Sequence, residues 1–128
     1  MNDQACILLV DDEPDVLSLY QMALTQAGFQ VITASNGADA IVLAKQKHPS
    51  LILMDVKMPG MDGVETAVKI KEDPDTANLK LVFLTAFSDP AKSEIDVKAA
   101  KEMGALDFLK KGISVTELRD KVKQYLAA

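Results

Sequence analysis

The chain has little of what several classes of function require. One of its 128 residues is cysteine, Cys6, so no disulfide can form within it. Cys6 stands inside an apolar run and reads as a reduced core residue, not a nucleophile or a metal ligand. Tryptophan is absent and aromatics are 5%, so the 48% of hydrophobic residues rests on Val, Ile, Leu and Met. Arg119 is the sole arginine among 14 basic residues, which face 19 acidic ones for a formal net charge of −5. Bidentate recognition of phosphate and guanine favours arginine. Such a chain is poorly suited to bind nucleic acid directly or to lie on an anionic membrane. No apolar run approaches the ~20 residues of a membrane-spanning helix. Met1-Asn2-Asp3-Gln4 lacks the basic start of a secretory signal. The expected location is the cytoplasm. Repeats and Pro/Gly/Ser linkers are also missing, so the expectation is one domain, residues 1–128.

What is present alternates regularly. Cys6 to Val10 is an apolar run, ended by Asp11-Asp12-Glu13. Pro14 suits a first helical turn, Leu17, Tyr20, Leu24 and Ala27 recur at helical spacing, and Gly28 stops the helix. Phe29 to Ala34 reads as a second strand, Asn36 as a cap, and Ala40, Ile41 and Ala44 as the buried side of a second helix broken by His48-Pro49. Leu51 to Met54 is a third strand, stopped by Asp55. Asp62 and Glu65 form a capping box for a third helix. Leu79 to Leu84 is a fourth strand, ended by Thr85-Ala86. A helix after Pro90 carries Ile95, Ala99 and Met103 in register and ends at Gly104. Leu106 to Leu109 is a fifth strand. Ser114 and Glu117 cap a last helix with the stripe Val115, Leu118, Val122, Tyr125 and Leu126.

Five strands, each followed by a helix, imply an α/β doubly wound parallel sheet. Continuous apolar strands fit a sheet covered on both faces. The loops after the strands then gather on one edge, where ligands bind. On that edge stand Asp11 and Asp12, Asp55, Thr85 and Lys110-Lys111. Each alone has a bland reading as turn chemistry, a β-former or a solvated charge. Their joint occurrence at four strand ends does not. Two carboxylates about 4 Å apart repel by roughly 4 kcal/mol at an effective dielectric of about 20. Three acids and one lysine leave a deficit of positive charge that a divalent ion would offset, and hard oxygen ligands suit Mg²⁺. A metal beside a carboxylate, an ammonium and a hydroxyl is apparatus for phosphoryl transfer, and a carboxylate acceptor would become an acyl phosphate.

Leu8 to Pro14, Asp55 to Gly63, Leu84-Thr85-Ala86 and Gly104 to Lys111 together resemble the motifs of receiver domains of two-component response regulators, in the family's order and across nearly the whole chain. The resemblance implies a flavodoxin-like fold with five helices and strand order 2-1-3-4-5. It implies that Asp55 accepts a phosphoryl group from the phosphohistidine of a sensor histidine kinase or histidine phosphotransfer protein. Asp12, Asp55 and the backbone carbonyl of Lys57 would bind Mg²⁺ or Mn²⁺ directly, and Asp11 through a water. Lys111 would pair with the phosphoryl group. Thr85 would bond one of its oxygens, and Phe108 would respond, switching a surface for a downstream target protein. Lys57, Ala86 and Phe87 would flank the phosphoryl group and govern its access to water. Such a domain acts on its own aspartate and is not a turnover enzyme.

Two features depart from the pattern. The family has proline after the pairing lysine; here it is Gly112, and the cost of a cis bond without proline favours a trans Lys111–Gly112 bond. The segment from Thr85 to Gly104 is also longer than usual. The alternative reading is a receiver domain excised from a larger hybrid kinase or DNA-binding regulator. A haloacid-dehalogenase-like phosphatase needs an acid two residues after its nucleophile, where Lys57 stands. A flavin binder needs a phosphate-cradling loop where Asp11-Asp12 would repel it.

Overall fold

Each apolar run forms a strand in the computed structural model, which describes residues 5–85, 101–102 and 104–127. The strands are β1 (Cys6–Val10), β2 (Gln30–Ala34), β3 (Leu51–Asp55), β4 (Leu81–Thr85) and β5 (Asp107–Lys110). They form one parallel sheet in the order β2-β1-β3-β4-β5. The described helices are α1 (Pro14–Gln26), α2 (Gly37–Lys47), α3 (Gly63–Glu72) and α4 (Val115–Ala127). The helix expected after Pro90, with Ile95, Ala99 and Met103, lies outside the described residues apart from Lys101 and Glu102, which are helical. Among the described residues no helix is long and apolar enough to cross a membrane.

Side chains alternate across a strand, and the two parities build two cores. Leu8, Val10, Ile52, Met54, Leu81 and Phe83 pack under α2 and α3 with Ala40, Ala44, Ala67 and Ile70. Ile7, Leu9, Leu51, Leu53, Val82, Leu84 and Leu109 pack against α1 and α4 with Tyr20, Leu24, Leu118, Val122 and Tyr125. The helix starts follow their caps. Asn36 Oδ1 accepts the Asp39 N–H at 2.8 Å, Asp62 Oδ1 the Glu65 N–H at 2.8 Å, and Ser114 Oγ the Glu117 N–H at 3.1 Å. Each satisfies a donor that the helix leaves unpaired.

Some boundaries differ from the sequence expectation. β4 starts at Leu81 and β5 at Asp107, later than the apolar runs suggest, because pairing begins only where the neighbouring strand is in register. Leu106 is 40% exposed although it belongs to the run. Cys6 is half-buried instead of a full core residue, since it opens β1 at the margin of the sheet beside Gln30. Burial still pushes its thiol pKa up. The Lys111–Gly112 bond is trans, and Gly112 takes a φ of +90°.

Candidate functional site

Asp11 follows β1 and Asp55 ends β3, its neighbour in the sheet, so the two carboxylates meet at the C-terminal edge. Asp11 is fully buried. Its N–H donates to Ala34 O at 3.2 Å, and its Oδ1 accepts the Glu13 N–H at 2.9 Å, which fixes the turn into α1. Asp55 is 2% exposed. Beneath it, Gly63 N–H donates to Val56 O at 2.7 Å, and a Cβ on Gly63 would overlap the Asp55 carbonyl oxygen. Only a residue without a side chain lets α3 begin so close to the acid.

Lys111 comes in from the β5 edge of the sheet. Its backbone N–H donates to Thr85 O at 2.7 Å, one step past the last β5 residue. Its Nζ lies 3.0 Å from Asp11 Oδ2, 3.1 Å from Asp55 Oδ1 and 2.9 Å from Glu13 Oε1. Strand alternation separates it from Lys110, which is exposed. Asp55 Oδ2 is buried and receives no hydrogen bond. Asp11 Oδ2 is within ion-pair reach of Lys111 but outside hydrogen-bonding geometry.

Burial, reinforced by the Asp11 charge, raises the Asp55 pKa to about 7 against the opposing pull of Lys111. For Lys111, burial works to lower the pKa, but the carboxylates of Glu13, Asp11 and Asp55 around the ammonium outweigh it and the net shift is upward. The ammonium is therefore a fixed positive charge in a cleft with more acids than it can balance. Among the described residues, Asp11, Asp12 and Asp55 each offer an oxygen within 4.8 Å of the others, a set that could hold a metal ion. The donors are all hard oxygens, and the acids of this cluster outnumber the one ammonium beside them. The residues fit a divalent cation.

Thr85 ends β4 and is buried. Two residues before it, Phe83 stacks on Phe108 of β5, with ring centroids 5.8 Å apart and planes at 21°. Thr85 and Phe108 thus share the face of the sheet that carries Phe83. Lys57 is exposed in the loop after Asp55. Ala86 and Phe87 lie outside the described residues. Two contributors were not singled out from sequence. Glu13 reads there as the end of an acidic run, yet it holds Lys111 across 98 positions. Tyr20 reads as one member of an apolar stripe, yet its hydroxyl accepts the Gly112 N–H at 3.0 Å.

The chain is similar to known proteins over nearly its whole length. Residues 7–123 match the family model described as response regulator receiver domain. Sporulation initiation phosphotransferase F of Bacillus subtilis is 35% identical over 127 residues, covering 98% of this chain and 95% of that protein. The chain spans about half the length of several transcriptional regulators that it also matches. Chemotaxis protein CheY4 of Vibrio cholerae superposes with a TM-score of 0.86 at 26% identity, over 95% of this chain and 98% of that one. The receiver domain of a sensor histidine kinase from Pseudomonas aeruginosa, solved with a magnesium ion in its active site cleft, shares the fold with a TM-score of 0.83 at 23% identity, over 98% of this chain and 99% of that one. With a family match that runs through both carboxylate-bearing strands and the lysine, the chain belongs to the response regulator receiver domains.

Proposed function

We propose that this chain is a phosphoryl-accepting switch in which Asp55 takes a phosphoryl group from the phosphohistidine of a sensor histidine kinase or histidine phosphotransfer protein. The observation that carries the reading is the buried Asp55 Oδ2, free of any hydrogen-bond donor while Oδ1 is held by Lys111. An oxygen so placed keeps its lone pairs for an incoming phosphorus. As the new O–P bond forms, the P–N bond to the donor imidazole breaks, and the imidazole leaves with the bonding pair and takes up a proton. Asp11, Asp12 and Asp55, with the Lys57 backbone carbonyl, would hold Mg²⁺ or Mn²⁺. When bound, the cation supplies charge neutralisation among the acids and the phosphoryl oxygens.

Lys111 already lies 3.1 Å from Asp55 and needs little motion to pair with the phosphoryl group. The Thr85 hydroxyl would take one phosphoryl oxygen, and Phe108, on the same face, would follow into the space it leaves. This biases a two-state surface that includes β5 and α4. That surface would meet a downstream target protein in the cytoplasm. Lys57, Ala86 and Phe87 would set access of water, and hence how long the acyl phosphate lasts. The chemistry modifies the chain itself and does not turn over a substrate pool.

Incubation with acetyl phosphate and Mg²⁺, followed by intact mass measurement, tests the proposal. Wild-type protein should gain one phosphoryl group and Asp55→Asn none. Equal labelling of the variant would sink the assignment.

A further inference from the structure

The Lys111 ammonium is the tip of a long, flexible stem, so its place in the cleft depends on what holds its backbone. Two hydrogen bonds bracket it. The Lys111 N–H donates to Thr85 O at 2.7 Å, and the next N–H, that of Gly112, donates to Tyr20 Oη at 3.0 Å. Tyr20 is 3% exposed and belongs to the core that also holds Leu24, Leu118 and Val122. Its hydroxyl is therefore a fixed point on α1. Gly112, by contrast, is exposed, with open space around its Cα and a φ of +90°. Nothing about packing at Gly112 would hold that conformation, and a glycine pays more than other residues to be fixed in one. A proline at 112 would have neither the N–H nor access to this φ.

We infer that Tyr20 is a positioning residue for Lys111: its hydroxyl anchors the Gly112 N–H and so aims the ammonium between Asp11 and Asp55. The role follows from distances and burial, and the stretch from Glu13 to Tyr20 thereby makes two contacts to the Lys111–Gly112 turn. Glu13, just before the helix, binds the ammonium itself, and Tyr20 binds the backbone behind it. The functional consequence rests on the proposed pairing of Lys111 with a phosphoryl group.

Tyr20→Phe removes the acceptor and keeps the ring, so the core stays filled. Two measurements on the full chain test the inference. The first is NMR of the Lys111 side-chain amine and ε-methylene, which reports the placement whatever the chemistry. In Tyr20→Phe these signals should move toward those of a solvated lysine. The second is the affinity for beryllofluoride, a phosphoryl mimic, in saturating Mg²⁺. It should fall about threefold to tenfold, the span of one net hydrogen bond, and the same substitution should have no further effect in a Lys111→Ala background. Unmoved Lys111 signals would overturn the inference. So would an equal affinity loss in both backgrounds, which would make Tyr20 merely structural. Displaced Lys111 signals with unchanged affinity would uphold the positioning role and instead refute the pairing of Lys111 with the phosphoryl group.

Discussion

Asp55 is kept in a state that the fold alone would be more stable without. Its carboxyl is buried beside Asp11, and one oxygen has no donor. Burial first, then the Asp11 charge, raises its pKa from 3.8 to about 7. The folded chain therefore binds a proton there that the unfolded chain has already lost. The stability from this group is full below the unfolded value and disappears as pH rises through about 7. In metal-free buffer the melting temperature should fall as pH is raised from about 6 to about 8. Asp55→Asn, which cannot ionise, should flatten that slope and stabilise the protein near pH 8 by on the order of 1–3 kcal/mol. A chemical-denaturation series in chelator checks this; a variant less stable than wild type near pH 8 would contradict it. Added Mg²⁺ should close the gap by favouring the ionised wild-type cleft.

The start of α3 is set by two neighbouring residues whose substitutions should both cost stability but differ in their effect on labelling. Asp62 caps it from the exposed side, through the Glu65 N–H. Asp62→Ala should cost about 1 kcal/mol and leave labelling of Asp55 intact. Gly63 lies against the β3 end, where an added Cβ meets the Asp55 carbonyl oxygen and lies 2.9 Å from Val56 Cα. Gly63→Ala should cost about 1–3 kcal/mol and, by displacing the Asp55 backbone, also reduce phosphoryl labelling. Paired denaturation and labelling assays separate the two; intact labelling in Gly63→Ala would show that the strand end tolerates the shift. The capping residues were legible in the sequence because a cap is a contact over three positions. Strand alternation was legible for the same local reason, and it set Lys111 apart from Lys110. The contacts of Glu13 and Tyr20 with the Lys111 turn span 98 and 92 positions and depend on where α1 lands against β5. No local pattern encodes that. The true starts of β4 and β5 escaped for a related reason, since hydrophobicity marks a run but the neighbouring strand decides where pairing begins.

Across the whole molecule, the core between the sheet and α1 is shared by the two ends of the chain. Tyr20 and Leu24 meet Leu118, Val122 and Tyr125 there. The Tyr125 hydroxyl donates to Asp107 Oδ2 at 2.6 Å, and Lys80 Nζ donates to the Tyr125 carbonyl at 2.8 Å. During synthesis the ribosome delivers β1 and α1 first and α4 more than eighty residues later. Until then the apolar side of α1 faces a gap where the last helix belongs, although the other core can already gather Leu8, Ile52, Ala44 and Ile70. A nascent chain should thus pass through a one-sided intermediate with exposed aliphatic surface, the kind that chaperones hold and proteases cut. Ribosome-arrested chains ending near Gly112 should be cleaved within α1 by a mild protease, while chains long enough to expose α4 beyond the exit tunnel should resist. Equal resistance at both lengths would mean that the N-terminal half closes its core without the last helix.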